Sequence, residues 1–278
     1  MVVAFSREHG LLRGVAKGAR RLGSNYAGGF EALTLGDIVF SNAAWEKAAR
    51  ASEGGGLVTI TAWEVLELFP AGRESLRSFL ACCCMLDLVQ RGMQEADPHE
   101  GVFDALVRAL RAMGGATTSA PHDAAKASTQ EDACEPEHAL ASFAWTLLHE
   151  TGLAPDVTSD IITGEALAPA KVFAFLPRLG GFASESHVQR EAPPRSDEKL
   201  AAQGPAWRVR SETLLALRSL ASPGLAIAAQ AKASRATSNA QTQLLWQRTA
   251  SLLVQYFREV HQTDVPAVGQ WLDATRSA

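Results

Sequence analysis

The sequence predicts an α+β fold in which a β-rich N-terminal module, residues 1–68, precedes a mainly α-helical domain, residues 69–278. Two observations carry this. Before residue 68 apolar side chains alternate with period two, as on a half-buried strand; after Pro70 they recur at three- and four-residue spacing, as on one helix face. A third sets the scale: 278 residues with 47% hydrophobic and 20% charged side chains suit a globular chain of two modest domains.

In the first module, residues 2–6 and 11–17 are short strand-like runs around the turn Glu8-His9-Gly10. Residues 37–40 and 57–65 form a second pair, joined by a loop that ends in Gly54-Gly55-Gly56. Val58 and Ile60 alternate there with Thr59 and Thr61. Four such strands suggest part of a small barrel, and the loop 18–36 holds Arg20-Arg21.

Beyond Pro70 the elements change character. Leu76, Phe79, Leu80, Cys83, Leu86 and Val89 follow helical spacing up to Gly92. Asp97-Pro98-His99-Glu100 reads as a helix start, with an Asp cap, Pro at the first position and Glu three residues after the cap. Phe103, Leu106, Val107, Leu110 and Met113 line that helix, and Gly114-Gly115 closes it. Residues 114–134 are rich in Ala, Ser and Thr without periodicity and read as a flexible insertion. A third helix carries Leu140, Phe143, Leu147 and Leu148 to Gly152. Residues 153–206 read as mostly irregular, with a Pro-rich charged stretch at 191–199. Helices are expected again near 211–220 and over 243–261.

Composition narrows the function classes. No apolar run reaches the ~18 residues of a membrane span, and the first residues lack a secretory signal pattern, so a cytoplasmic protein is expected. Cys82, Cys83 and Cys84 point about 100° apart on a helix, which suits packing rather than a disulfide or a metal. The net charge of −4 is unevenly spread. Residues 1–25 hold Arg7, Arg13, Lys17, Arg20 and Arg21 against Glu8 alone, a net of +4, which leaves −8 on the rest. A basic first segment on an acidic body suggests a polyanion site at one end, although a solvated charged face fits the charge equally well.

No catalytic constellation is present. The chain has no phosphate-loop motif, no dinucleotide glycine fingerprint, no His-Glu-x-x-His pair and no Gly-x-Ser-x-Gly elbow. Its seven histidines lack ligand-like spacing, and no metal or other cofactor is expected. The run from Arg13 to Arg21 says more. Alternation sets Arg13, Val15 and Lys17 on one strand face, and Gly18 permits a turn that presents Arg20 and Arg21. Lysine and arginine hold phosphates by charge without reading sequence, and basic loops on a barrel face commonly hold single strands. Tyr26 and Phe30 are the nearest stacking candidates, with packing an equal alternative.

The order Phe5-Ser6-Arg7-Glu8-His9-Gly10-Leu11-Leu12-Arg13-Gly14-Val15-Ala16-Lys17-Gly18-Ala19-Arg20-Arg21 strongly resembles the RecO family of recombination mediators. Thr59-Ile60-Thr61-Ala62, Phe69-Pro70, Asp97-Pro98-His99-Glu100, Gly152-Leu153-Ala154-Pro155 and Pro177-Arg178-Leu179-Gly180-Gly181 match further stretches in order. The resemblance implies an OB-like barrel followed by a helical domain. It also implies binding of single- and double-stranded DNA, annealing of complementary strands, and no enzymatic activity. The partners implied are RecR, the acidic C-terminal tail of single-strand-binding protein and, indirectly, RecA, in the RecF pathway of repair at the nucleoid. The DNA-binding candidates are Arg7, Arg13, Lys17, Arg20, Arg21 and Arg178.

Two departures accompany the resemblance. RecO proteins often carry two Cys-x-x-Cys pairs, and matching places those four positions within residues 153–200, at Asp160, Thr163, Ser184 and His187. Such a set is poor for zinc, so the segment is expected to be held by packing of Ile161, Ile162, Phe173, Phe175 and Phe182. The family also has about one further strand ahead of the position of Met1, so the barrel is expected to be incomplete. The alternative function is therefore a helical protein-interaction adaptor that has lost DNA binding.

Overall fold

The computed structural model describes residues 1–19, 26–27, 30–41, 56–113, 134–190, 205–222 and 239–276. They fall into two compact units, Met1–Ala139 with Val265–Ala278, and Leu140–Asp264.

The first unit opens with β1 (Val2–Ser6) and β2 (Gly10–Ala16), an antiparallel pair in register from Val2 opposite Gly14 to Ser6 opposite Gly10. Gly10 sits at φ 68°, and a Cβ there would run into the Asp97 carbonyl oxygen, so the turn needs glycine. The central strand is β5 (Val58–Leu68), which takes β2 in parallel along Val58–Ile60 and β3 (Tyr26–Ala27) in parallel along Trp63 and Glu64. Its other edge carries β4 (Thr34–Ser41), antiparallel, with register shifts at Leu35/Gly36 and Val39/Phe40. Such shifts bend and twist a ladder. Among the described residues the sheet does not close: β1 pairs only with β2, and β4 only with β5.

The sheet core is Tyr26, Val58, Ile60 and Trp63. The Tyr26 hydroxyl donates to the Ile60 carbonyl at 2.6 Å, and Phe30 stacks on Trp63 with centroids 5.6 Å apart. Both aromatics that the sequence offered for base stacking are thus used in packing.

After the short α1 (Ala71–Glu74) come α2 (Leu76–Gly92) and α3 (Glu100–Ala112). The Ser75 hydroxyl caps α2 by accepting from the Ser78 N–H at 3.1 Å. The expected cap of α3 is overturned: the helix starts at Glu100 after His99, with no side-chain cap. The stretch around Asp97 is instead drawn onto the first hairpin, where Glu95 bridges Leu11 and the Ala96 N–H donates to the Leu11 carbonyl at 3.3 Å. A further helix, α8 (Pro266–Arg276), was missed from the sequence, where Pro266 and Gly269 interrupt the pattern. Its Ala267 N–H donates to Asp87 at 3.0 Å, and Trp271 is fully buried. Cys82 and Cys84 are buried in α2, and desolvation pushes the Cys82 thiol up to about 12 and raises Cys84 as well. No disulfide links Cys82, Cys83, Cys84 and Cys134 to one another.

Helix α4 (Pro136–Glu150) continues into the second unit. The irregular reading of 153–206 is corrected there by the strands β6 (Asp156–Asp160), β7 (Val172–Leu176) and β8 (Gly181–Ser184), which join β9 (Trp207–Arg210). They form a four-stranded sheet in the order β6-β8-β7-β9. They are too short to show periodicity, and VFAFL is buried almost throughout, so no alternation marks it. Helices α5 (Glu185–Arg190), α6 (Ser211–Ala221) and α7 (Asn239–His261) complete the unit. Phe173, Phe175 and Phe182 are buried, and Phe175 meets Tyr256 of α7 edge-on at 5.2 Å. Ile161 and Ile162 are only half-buried. The insertion expected at 114–134, apart from Cys134, and the Pro-rich stretch at 191–199 lie outside the described residues.

Candidate nucleic-acid interface

The basic positions differ in surroundings. Strand β2 ends at Ala16, so it carries Arg13 and Val15 while Lys17 falls in the turn that follows; Arg13 is half-buried and its Nε lies 2.5 Å from a Glu95 carboxylate oxygen. Arg7, just after β1, forks onto α3: its guanidinium donates to Asp104 at 3.1 and 3.2 Å and reaches Glu100 at 3.1 Å. That hydrogen bond, with the charges of Asp104 and Glu100, raises the Arg7 pKa further; the same hydrogen bond, with the Arg7 charge, lowers that of Asp104. Both arginines are therefore already partnered by acids of the α2–α3 connection and α3. Lys17 is exposed where β2 ends, with no carboxylate on it among the described residues. Arg20 and Arg21 lie outside the described residues. Arg178 is exposed on the turn between β7 and β8, in the second unit.

Arg13 and Arg7 belong to a wider set that ties strands to helices. Arg111 of α3 holds Glu67 of β5 at 2.6 Å, and Arg73 holds Glu31 at 2.9 Å. Arg77 of α2 holds Glu137 at 2.5 Å and Glu135 at 3.3 Å. The Glu137 carboxylate, 1% exposed, makes this pair the most enclosed of the set. Sequence reasoning did not find these pairs, because their partners are up to 97 residues apart.

The four positions matched to zinc ligands do converge, but on a carboxylate. Asp160, 2% exposed, accepts from the backbone N–H groups of Ser184 at 2.9 Å, Ile162 at 3.0 Å and Thr163 at 3.3 Å. His187 Nδ1 lies 2.8 Å from the same carboxylate. Burial alone would raise its pKa; the Ser184 N–H, His187 and the Ile162 and Thr163 N–H groups outweigh it and hold the carboxyl below its usual range. Thr163 and Ser184 face the centre with donors, the wrong polarity for a cation, so these residues do not fit zinc. Among the described residues no three His, Cys, Asp or Glu side chains are grouped to hold a metal. No described helix is long and apolar enough to cross a membrane.

Residues 1–69 match the family model described as Recombination protein O N terminal. Curated relatives named DNA repair protein RecO match longer stretches. That of Alkaliphilus metalliredigens (strain QYMF) is 26% identical over 165 residues, 59% of this chain and 56% of the relative. That of Variovorax paradoxus (strain S110) is 27% identical over 176 residues, 63% and 59% of the two chains. That of Synechococcus sp. (strain JA-3-3Ab) is 28% identical over 225 residues, 81% and 65%. The chain thus spans between 56% and 65% of the length of these three relatives. With a RecO N-terminal match over residues 1–69 and longer matches to relatives named DNA repair protein RecO, the chain is similar to proteins of the RecO family of DNA repair and recombination.

Proposed function

We propose that this protein is a non-enzymatic DNA-binding and strand-annealing mediator of the RecF pathway, acting on single- and double-stranded DNA in the nucleoid. RecR and the tail of single-strand-binding protein are its proposed partners, and RecA loading its consequence. The observation that carries the reading is the basic segment within the RecO N-terminal match, where exposed Lys17 leads into Arg20 and Arg21. The open sheet of the first unit is then the greater part of an OB-like barrel. The mechanism is electrostatic: phosphate charge is neutralised so that two strands can approach, and counterions are released. Arg7, Arg13 and Arg178 add phosphate contacts, Arg7 and Arg13 by exchanging their carboxylate partners.

Binding of the 278-residue protein to a labelled single-stranded oligonucleotide across a salt series tests this. Affinity is expected to fall steeply with salt. Replacing Arg20 and Arg21 by Ala should weaken binding about equally across sequences and flatten the logarithmic salt slope by about 1.4, two single-strand phosphate contacts. Absence of binding at low salt favours the second reading, a helical adaptor without DNA binding. The engagement of Arg7 and Arg13 by acids is the observation on that side.

A further inference from the structure

Residues 17–25, between β2 and β3, include the cations Lys17, Arg20 and Arg21 and no acid. Strand β5 holds both ends of this segment. A strand has two edges, and β4 occupies one of them from Thr59 to Leu68. Strands β2 and β3 therefore share the other, both parallel to β5, with Ala16 opposite Ile60 and Tyr26 opposite Trp63. Three residues of β5 separate those rungs, a distance of about 10 Å. An uninterrupted strand would cross that interval with the two positions opposite Thr61 and Ala62, far fewer than residues 17–25 supply. Gly18, at φ 81°, occupies the left-handed region that lets the chain turn off the edge.

The return to the edge has little ladder behind it, because β3 is two residues long. Tyr26 supplements it. Its ring belongs to the sheet core with Val58, Ile60 and Trp63, and meets Phe30 at 5.4 Å. Its hydroxyl reaches back along β5 and donates to the Ile60 carbonyl at 2.6 Å. Ile60 is the last residue of β5 that β2 pairs, so this bond lies across the interval between departure and return. Fixing both ends of a segment removes freedom that binding would otherwise have to remove. We infer that Tyr26 is a positioning residue for the phosphate-binding segment. Its hydroxyl fastens the return of the chain to the strand it has just left, so that Lys17, Arg20 and Arg21 act from a segment tied at both ends. The inference rests on the DNA-binding reading and adds to it a residue that carries no charge.

Tyr26→Phe keeps the ring in the core and removes only the donor. Its effect is read from binding of the 278-residue protein to a labelled single-stranded oligothymidylate across a salt series. Affinity should fall about three- to tenfold at every salt concentration with the logarithmic slope unchanged, because the same phosphates are neutralised at a greater ordering cost. Replacing Arg20 and Arg21 by Ala moves the slope instead. In a protein carrying those two substitutions, Tyr26→Phe should have little further effect, since the groups it positions are gone. In the absence of DNA, hydrogen exchange across residues 17–27 should be faster in Tyr26→Phe than in the wild type, with residues 58–68 unchanged. Equal affinity of wild type and Tyr26→Phe overturns the inference and leaves the DNA-binding reading standing. Equal losses with and without Arg20 and Arg21 also overturn it, and confine Tyr26 to the core. A flattened slope overturns it by making the hydroxyl part of the contact, and unchanged exchange overturns the fastening itself. A wild-type protein that binds no oligothymidylate at low salt removes the DNA-binding reading and this inference with it.

Discussion

Asp160 shows how one residue can take over a task that a resemblance assigns to a metal. Its carboxylate gathers three backbone N–H donors and His187 from β6, the loop after it, β8 and α5, so one side chain ties the irregular parts of the second unit together. Asp160→Asn keeps the shape but replaces one acceptor oxygen by a donor facing other donors. We predict a loss of about 2–4 kcal/mol in chemical denaturation, with chelators without effect on either protein. Asp156, bonded by the Ser159 hydroxyl and the Thr158 N–H and hydroxyl against the opposing effect of burial, is lowered to about 2. Both folded values lie below the unfolded aspartate value of about 3.9. Their stabilisation is therefore fully present above that value and is lost as pH falls through the folded values. Unfolding free energy should decline as pH drops from about 4 towards 2, and Asp160→Asn should make the decline shallower. Equal slopes for the two proteins would remove Asp160 from this account. The sequence could locate these four positions through the resemblance, but not their geometry. That a carboxylate fills the centre depends on a turn bringing Ser184 back onto β6.

Elements were legible where periodicity had length to act. The strands β1, β2 and β5 and the helices α2, α4, α6 and α7 lie where alternation or helical spacing predicts them. The second sheet was not legible, because its strands are four or five residues long. The start of α3 was misplaced because tertiary pairing of Glu95 and Ala96 with the first hairpin competes with a local capping box. What joins elements is just as invisible to local pattern. Arg77 of α2 reaches the first turn of α4, where Glu137 also meets the favourable helix dipole. Removing the arginine would strand a carboxylate that is 1% exposed. Arg77→Ala should therefore cost about 3–5 kcal/mol in equilibrium unfolding, whereas exposed Arg73→Ala should cost about 1 kcal/mol or less. Similar losses for the two variants would show that burial does not set the difference.

At the scale of the whole molecule, charge sets the argument. The first 25 residues carry +4 and the rest −8, yet the structure spends two of those early cations on acids of its own first unit. The basic segment was thus legible as a charge excess, while the division of its residues between internal pairs and open surface was not. That division depends on where α3 and its connection come to rest. If the DNA-binding reading holds, Glu100 and Asp104 act as internal competitors for the phosphate backbone. Glu100→Gln with Asp104→Asn keeps both side-chain shapes, removes two negative charges and frees the Arg7 guanidinium. Single-stranded DNA should then bind several-fold more tightly at low salt, and the logarithmic salt slope should steepen by about 0.7, one further phosphate contact. Adding Arg7→Ala to that protein should return the slope to its starting value. A slope that does not move in the first variant would confine Arg7 to holding β1 against α3 and leave phosphate binding to Lys17 and the residues that follow it. A tighter complex with no change of slope would trace the gain to reduced repulsion from the acidic body rather than to a contact.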